Sequence, residues 1–423
     1  MKNKKKYIFI IIILLLCSII MYLLNENHDL KESSNNYENN KVTKRENMLS
    51  MMLETEANSG NYEMTTSSSW PTDGYVFNTE LSKCENGGEL SWDNTTKQVL
   101  MSGNVSDKCY VYFDIYIPPT IADFCNSGDT LTTCVKNFGN QGTDMSNIYI
   151  HNSGLTNGAG DNSYRYAGAN PNNYVCFGSN ASSCPTDNLY RIIGVFGDQV
   201  KLIKYDYATS ALLGTDVGKY TYGSSTYKGS NYANIASYYW NYSTKNNTWS
   251  QSDLNKINLN TNFINNIRSE WAAKIAETTW KVGGNTNDNI ANVTPSVAYQ
   301  NEIVSPVTTN TTDGETEYRA KIGLMYVSDY GFAAAPSAWT ANLNAYNGEA
   351  IKNVNWMYMG LYEWTISRRA NFSDDAFYVN NGGYVGYFGA YNSNIGVRPS
   401  FNLLSSVTYV EGDGTKNLPI RIN

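Results

Sequence analysis

Charge is scarce in this sequence. Asp, Glu, Lys and Arg make up 16% of its 423 residues, and it holds two histidines, His28 and His151. The net charge is -7, and basic residues gather only at Lys2–Lys6 and in the short stretch Lys41–Arg45. Nucleic-acid binding needs a basic face to displace counterions, so no nucleic-acid partner is expected. His28 lies in a polar stretch near the N-terminus. His151, in a Gly/Asn loop, has no metal-ligand spacing and no nucleophile motif beside it, and reads as an exposed loop residue. No P-loop or dinucleotide fingerprint occurs, and the Gly-Gly pairs at Gly283 and Gly382 are turn material. The sequence calls for no metal, no cofactor and no recognisable catalytic constellation. Asp374-Asp375 is a carboxylate pair beside an aromatic loop, but such a pair is more often a solvated turn.

The charge deficit is filled by Asn, Ser, Thr, Gly and 34 Tyr, with hydrophobic residues at 41%. A disordered chain would be rich in charge and poor in aromatics, so this one reads as folded and β-leaning.

One long apolar run is present. Lys2, Lys4, Lys5 and Lys6 form a basic tail (residues 1–6) ahead of Tyr7–Leu24, 18 residues without a charge. As a helix the run spans roughly 27 Å, close to a bilayer core. The basic flank places the N-terminus in the cytoplasm and everything after residue 25 outside the cell. The rival reading is a cleaved signal peptide, but Leu24 is followed by Asn-Glu-Asn-His rather than a small-x-small site. Residues 25–70 are polar and read as a stalk, in which Met48–Leu53 could form a turn or two of helix. Residues 71–118 read as a small β module, its strand-length apolar segments separated by Gly/Asn/Asp turns and closed by Pro118-Pro119.

Residues 119–423 form the main domain. Leu189–Phe196 and Gln199–Tyr205 across Gly197-Asp198 are the clearest hairpin signal. Helical periodicity is expected over Leu254–Ile267 and Trp271–Trp280. Lys321–Val327 reads as a buried strand leading into a cap at Ser328-Asp329, and Phe401–Val410 with Leu418–Ile422 as a closing hairpin. Strands and helices mix without βαβ regularity, so the fold class is α+β.

Beyond Cys17 in the apolar run, the cysteines fall in close pairs: Cys84/Cys109, Cys125/Cys134 and Cys176/Cys184. Clustering favours sequential disulfides, and an extracellular site would not keep thiols reduced. Reduced core thiols are the alternative. A Cys84–Cys109 loop contributes roughly 3 kcal/mol in the chain-entropy model.

Several segments carry a family resemblance: Cys84-Glu-Asn-Gly-Gly, Ser106-Asp-Lys-Cys-Tyr-Val-Tyr-Phe-Asp, Tyr164-Arg-Tyr-Ala-Gly-Ala-Asn-Pro, Asp187-Asn-Leu-Tyr-Arg-Ile-Ile-Gly-Val-Phe, Glu363-Trp-Thr-Ile-Ser-Arg and Ile395-Gly-Val-Arg-Pro-Ser-Phe. Together they resemble uncharacterised surface proteins of low-GC Gram-positive and related gut bacteria, whose main domain is similar to the "domain of unknown function 6273" group. Trp364-Thr-Ile-Ser-Arg368 followed by Gly396-Val-Arg-Pro also resembles the C-terminal end of C-type-lectin-like folds, which include sulfatase-modifying enzymes. No Cys follows Cys184, so the oxidase chemistry of those enzymes is not implied. The calcium-binding lectin motifs are missing as well.

That resemblance implies a variable outer surface between Trp364–Arg368 and Gly396–Pro399. The chain there, Phe372–Asn394, is built of Tyr, Gly, Asn and Ser, the palette of antibody contact loops. Tyr faces stack on sugar rings and amides bond hydroxyls. Tyr378, Asn380, Asn381, Tyr384, Tyr387 and Tyr391 are the candidate contacts, set against ordinary strands and turns in a chain Tyr-rich throughout. Trp364, Arg368 and Arg398 read as structural, Arg398 needing a carboxylate or carbonyls in its apolar setting. The expectation is a surface-anchored protein, held in the membrane by residues 7–24, that binds a glycan or a surface protein. The alternatives are an assembly component of the envelope or, last, a hydrolase or modifying enzyme.

Overall fold

The computed structural model describes residues 49–71, 73–103, 107–216, 219–221, 225–227, 230–232, 236–307, 314–391 and 395–423. The basic tail, the apolar run Tyr7–Leu24 and most of the expected stalk lie outside these residues. Among the described residues no helix is long and apolar enough to cross a membrane. The fold is mixed α+β, rich in sheet and poor in helix. It parts into two compact units between Pro118 and Pro119.

The first unit holds β1 (Leu49–Glu54), β2 (Tyr62–Met64), β3 (Tyr75–Cys84), β4 (Glu89–Asp93), β5 (Gln98–Ser102) and β6 (Cys109–Ile115). Four of them form a sheet in the order β2-β1-β6-β3, with β1 parallel to β6, and β4-β5 make a separate hairpin. The segment expected to be a helical turn of a stalk is therefore a strand at the heart of the module. Tertiary pairing decided this: Leu49 to Leu53 take register with Cys109 to Phe113, and Met51 packs against Val111, Phe113 and Phe77. Cys84 and Cys109 face each other across β3 and β6 and are disulfide-bonded.

In the second unit the strands are β7 (Ile148–Ile150), β8 (Tyr164–Tyr166), β9 (Tyr174–Cys176), β10 (Leu189–Phe196), β11 (Gln199–Lys204), β12 (Lys219–Thr221), β13 (Ser225–Tyr227), β14 (Ser230–Tyr232), β15 (Ala236–Tyr238), β16 (Thr278–Lys281), β17 (Gly284–Asn285), β18 (Glu317–Ala320), β19 (Ile322–Gly323), β20 (Glu363–Arg369), β21 (Asp375–Val379), β22 (Val385–Gly389), β23 (Ser400–Asn402), β24 (Tyr409–Glu411) and β25 (Arg421–Ile422). The main sheet runs β19-β23-β11-β10-β8-β7, with β9 also on β10; a second sheet runs β17-β20-β21-β22.

The β10–β11 hairpin turns at Gly197-Asp198, where Gly197 has φ +64°, a left-handed conformation that suits glycine. Both of its faces are covered, so β10 reads as an almost continuous apolar run. Tyr190, Ile192 and Leu202 face one core with Trp271 and Phe401, while Ile193 and Ile203 face another with Met325 and Tyr330. A register shift between Ile192 and Gly194 returns Val195 to the first core. Gly194 is required there, since a Cβ would meet the Tyr164 carbonyl oxygen at 2.3 Å.

Several expected elements differ. The helix Leu131–Gly139, absent from the expectations, is capped by Thr130, whose hydroxyl accepts the Thr133 N–H. Its buried Leu131, Cys134, Val135 and Phe138 have helical spacing. Leu254–Phe263 is helical but wide-turned. Trp271–Trp280 is not helical throughout; only Ser269–Ala272 forms a turn, and Thr278–Lys281 pairs with β18. The expected strand after Lys321 shortens to β19 before a helix at Val327–Phe332, whose first turn is closed by Asp329 accepting the Tyr326 N–H. The chain closes with β23 in the main sheet and only β24–β25 as a hairpin.

Asparagine side chains replace missing backbone partners. Asn260 donates to the Ile322 carbonyl and accepts the Ile322 N–H, both at 2.9 Å, and Asn173 donates to the Ile192 carbonyl at 2.7 Å. This is one use of so Asn-rich a composition in a loop-rich fold.

Candidate functional site

The stretch singled out by composition folds as the β21–β22 hairpin and the loop before it. Val385 pairs with Val379 and Gly389 with Asp375, and β22 ends the path of its sheet. Because side chains alternate across a strand, the candidate tyrosines cannot all face one way.

Tyr378 is buried. Its ring stacks on Phe388 at 4.9 Å and lies 5.6 Å from Tyr362, with Trp364 edge-on. Burial raises its phenol pKa well above the ordinary value. Tyr378 is thus a core residue, contrary to its expected contact role. Asn380 is buried too and shapes the turn: its side chain accepts the Gly382 N–H at 2.6 Å and its backbone N–H reaches Tyr384. Gly383 completes the turn with φ +102°. Asn381 is exposed, its carbonyl accepting the Tyr358 hydroxyl at 2.8 Å, and Tyr384 is half-buried. Of the six candidates, Tyr387 and Tyr391 present large aromatic surface to solvent, 40% and 39% exposed.

The structure adds partners that composition did not point out. The Arg369 guanidinium lies 3.9 Å from the ring centroids of both Phe372 and Tyr387 and pairs with Asp375 at 3.0 Å. Phe372 and Phe388 are exposed as well. Burial raises the Asp375 carboxyl, and the Arg369 contact opposes that. This ion pair makes Asp375 an anchor for Arg369 rather than half of a free acid pair. The loop is tied from within by Asn247, whose side-chain amide reaches the carbonyls of Arg369, Phe372 and Asp375 at 2.8, 2.8 and 2.7 Å. Beside it Lys245 lies 5.8 Å from the Tyr391 ring, and Tyr239 packs on exposed Tyr242 at 4.8 Å. The exposed rings around this Arg can stack on flat or ring-shaped ligands.

Trp364, Arg368 and Arg398, read as structural, are all buried. Trp364 is fully buried and donates to the Tyr238 carbonyl at 2.7 Å. Arg368 is buried and donates to the Glu315 carbonyl at 2.5 Å. Arg398 has both kinds of partner expected of it, the Glu363 carboxylate at 2.7 Å and the Met357 carbonyl at 2.8 Å.

His151 is a correction. It is buried, not exposed, with its ring 4.7 Å from Phe332 and 5.2 Å from Trp339. Its Nδ1 accepts the Ala159 N–H at 3.0 Å, so the imidazole pins the loop folded over it. Burial, with Arg165 nearby, lowers its pKa to about 3. The loop looked polar in sequence, but its backbone wraps the ring.

Cys125–Cys134 and Cys176–Cys184 are disulfide-bonded, like Cys84–Cys109. Asp107 and Asp129 sit close to two of these pairs at metal-ligating distance, but bonded cysteines offer no thiolate. A groove of about 410 Å³ on the first unit is lined by Tyr75, Phe77, Leu90, Trp92 and Lys97. The chain matches no protein-family model, and it has no significant match among curated proteins or among solved structures.

Proposed function

We propose that this chain is a membrane-anchored binding protein of the cell surface, held by Tyr7–Leu24, that presents a C-type-lectin-like domain to a glycan or protein ligand outside the cell. The observation that carries this reading is the exposed aromatic platform at the β22 end of the second sheet, with Arg369 sandwiched between Phe372 and Tyr387. Exposed aromatics with a desolvated guanidinium are the residue types that dominate binding hot spots. The three disulfides fit an oxidising compartment.

The test is binding of the full chain, in detergent or nanodiscs, to glycan arrays and to bacterial and host cells. Phe372→Ala with Tyr387→Ala should lower affinity at least tenfold, about 1.4 kcal/mol or more. Unchanged binding by that double variant removes the platform as the site. The second reading, an envelope assembly component, draws on the first unit, where the Trp92 groove lies near exposed Val76 and Leu100. In that case cross-linking in cells would capture Lys97 against another envelope protein, and the platform variant would leave localisation and assembly intact.

A further inference from the structure

The centre of the second unit holds a cluster of charges that binding does not explain. Lys201 on β11 and Asp329 on the helix Val327–Phe332 are 128 residues apart in sequence, yet Lys201 Nζ lies 2.5 Å from Asp329 Oδ2. Their side chains are 5% and 1% exposed. The amine is boxed by aromatic rings, Tyr326 at 4.4 Å, Trp280 at 5.3 Å and Phe196 at 5.6 Å. Arg165 donates to the other oxygen of Asp329, Oδ1, at 3.3 Å, and pairs with Asp161 at 2.7 Å. Beside them lies Glu302, 2% exposed, its oxygens accepting from the Ser328 N–H and the Ser367 hydroxyl rather than from a cation.

A simple ion pair is a costly use of this place. Burying two charges costs several kcal/mol per ion, and a pair of apolar residues is often as stable. Two cations also compete for Asp329. The arrangement instead has the parts of an amide-forming site: a desolvated amine, a carboxyl within contact distance, a donor on the oxygen that would become the oxyanion, and a neighbouring acid.

We propose that Lys201 and Asp329 condense spontaneously into an intramolecular isopeptide bond. The proton of the buried pair passes from ammonium to carboxylate, giving an amine and a carboxylic acid with no change in net charge. Lys201 Nζ attacks Asp329 Cγ, and negative charge collects on Oδ1, where Arg165 holds it. The nitrogen gives up a proton while Oδ2 gains one, with Glu302 as the relay, and Oδ2 leaves as water. One N–C bond forms, one C–O bond breaks, and neither oxidant nor co-reactant is needed. Afterwards Arg165 and Asp161 remain as a matched pair, and the cost of two buried charges is gone.

The environment supports each role. Desolvation lowers the Lys201 pKa, which favours the neutral amine. Burial raises the Glu302 carboxyl to about 7, so it carries a proton over much of the neutral-to-acid range and can pass it on. The bond would lock the central hairpin to the helix that follows β19, a covalent brace within the second unit.

Peptide mapping of the reduced and alkylated full chain decides the matter. The Lys201 and Asp329 peptides should appear as one branched species, about 18 Da lighter than their sum, as water loss requires. Recovery of both as ordinary linear peptides overturns the proposal, and so does a branch mapped to any other pair. Lys201→Arg should give linear peptides only. Glu302→Gln, checked as folded by near-UV circular dichroism, should leave most of the chain unbranched; full branching there overturns the relay. If Glu302→Gln does not fold, the time course of branching in freshly refolded wild type, slower at high pH than near neutrality, tests the same step.

Discussion

Removing the guanidinium of Arg398 isolates the cost of a buried charge. Arg398 and Glu363 are 1% and 2% exposed, joined at 2.7 Å, with Met357 taking a second donor. Arg398→Met keeps most of the volume and leaves Glu363 buried without its cation, which costs about 3–5 kcal/mol. At about 2 °C per kcal/mol for a domain of this size, the melting temperature should fall by about 6–10 °C. The pH dependence separates this from a packing defect. Burial already raises the Glu363 carboxyl above its ordinary 4.5, and Arg398 opposes that, so its loss raises the carboxyl further. A group whose pKa is higher folded than unfolded gives its full contribution below the unfolded value and loses it as pH rises through the folded value. The deficit should therefore be smallest near pH 4.5 and grow toward pH 8. Adding Glu363→Leu should restore most of the stability at every pH. Urea denaturation across this range is the assay. A loss under about 1 kcal/mol at pH 7, or one independent of pH, refutes the reasoning.

Other perturbations test other parts of the structure. With its pKa lowered to about 3, His151 stabilises the fold fully above pH 6.5 and loses that contribution as pH falls toward 3, a swing of about 4–5 kcal/mol. His151→Gln should flatten this slope in acid denaturation. Asn247→Ala strands three carbonyls of the Arg369–Asp375 loop, costing about 1–3 kcal/mol, with faster amide exchange confined to that loop. Cys84→Ser with Cys109→Ser should cost the first unit roughly 3 kcal/mol, and the second unit's transition should stay unchanged.

Periodicity and local chemistry carried much of this protein in its sequence. The apolar runs around Gly197-Asp198 dictated the β10–β11 hairpin, because a two-residue turn with a left-handed glycine leaves little other choice. Close spacing paired the cysteines, and the apolar surroundings of Arg398 and Trp364 foretold partners and burial. Tertiary structure decided whatever depended on a second covered surface. Alternation assigns residues to faces but does not say whether the other face meets solvent, so Lys201 and His151 looked ordinary until both sides of their segments were packed. The parallel pairing of β1 with β6 was invisible because it joins segments some sixty residues apart. The same limit governs the candidate site. Composition marked Phe372–Asn394 as a whole, but Tyr378 lies on β21, covered on both faces, and Tyr387 on β22, the last strand of its sheet, where Phe388 on the other face is exposed as well. Only the fold brought Arg369 between Tyr387 and Phe372, because stacking depends on neighbours in space and the sequence records neighbours along the chain.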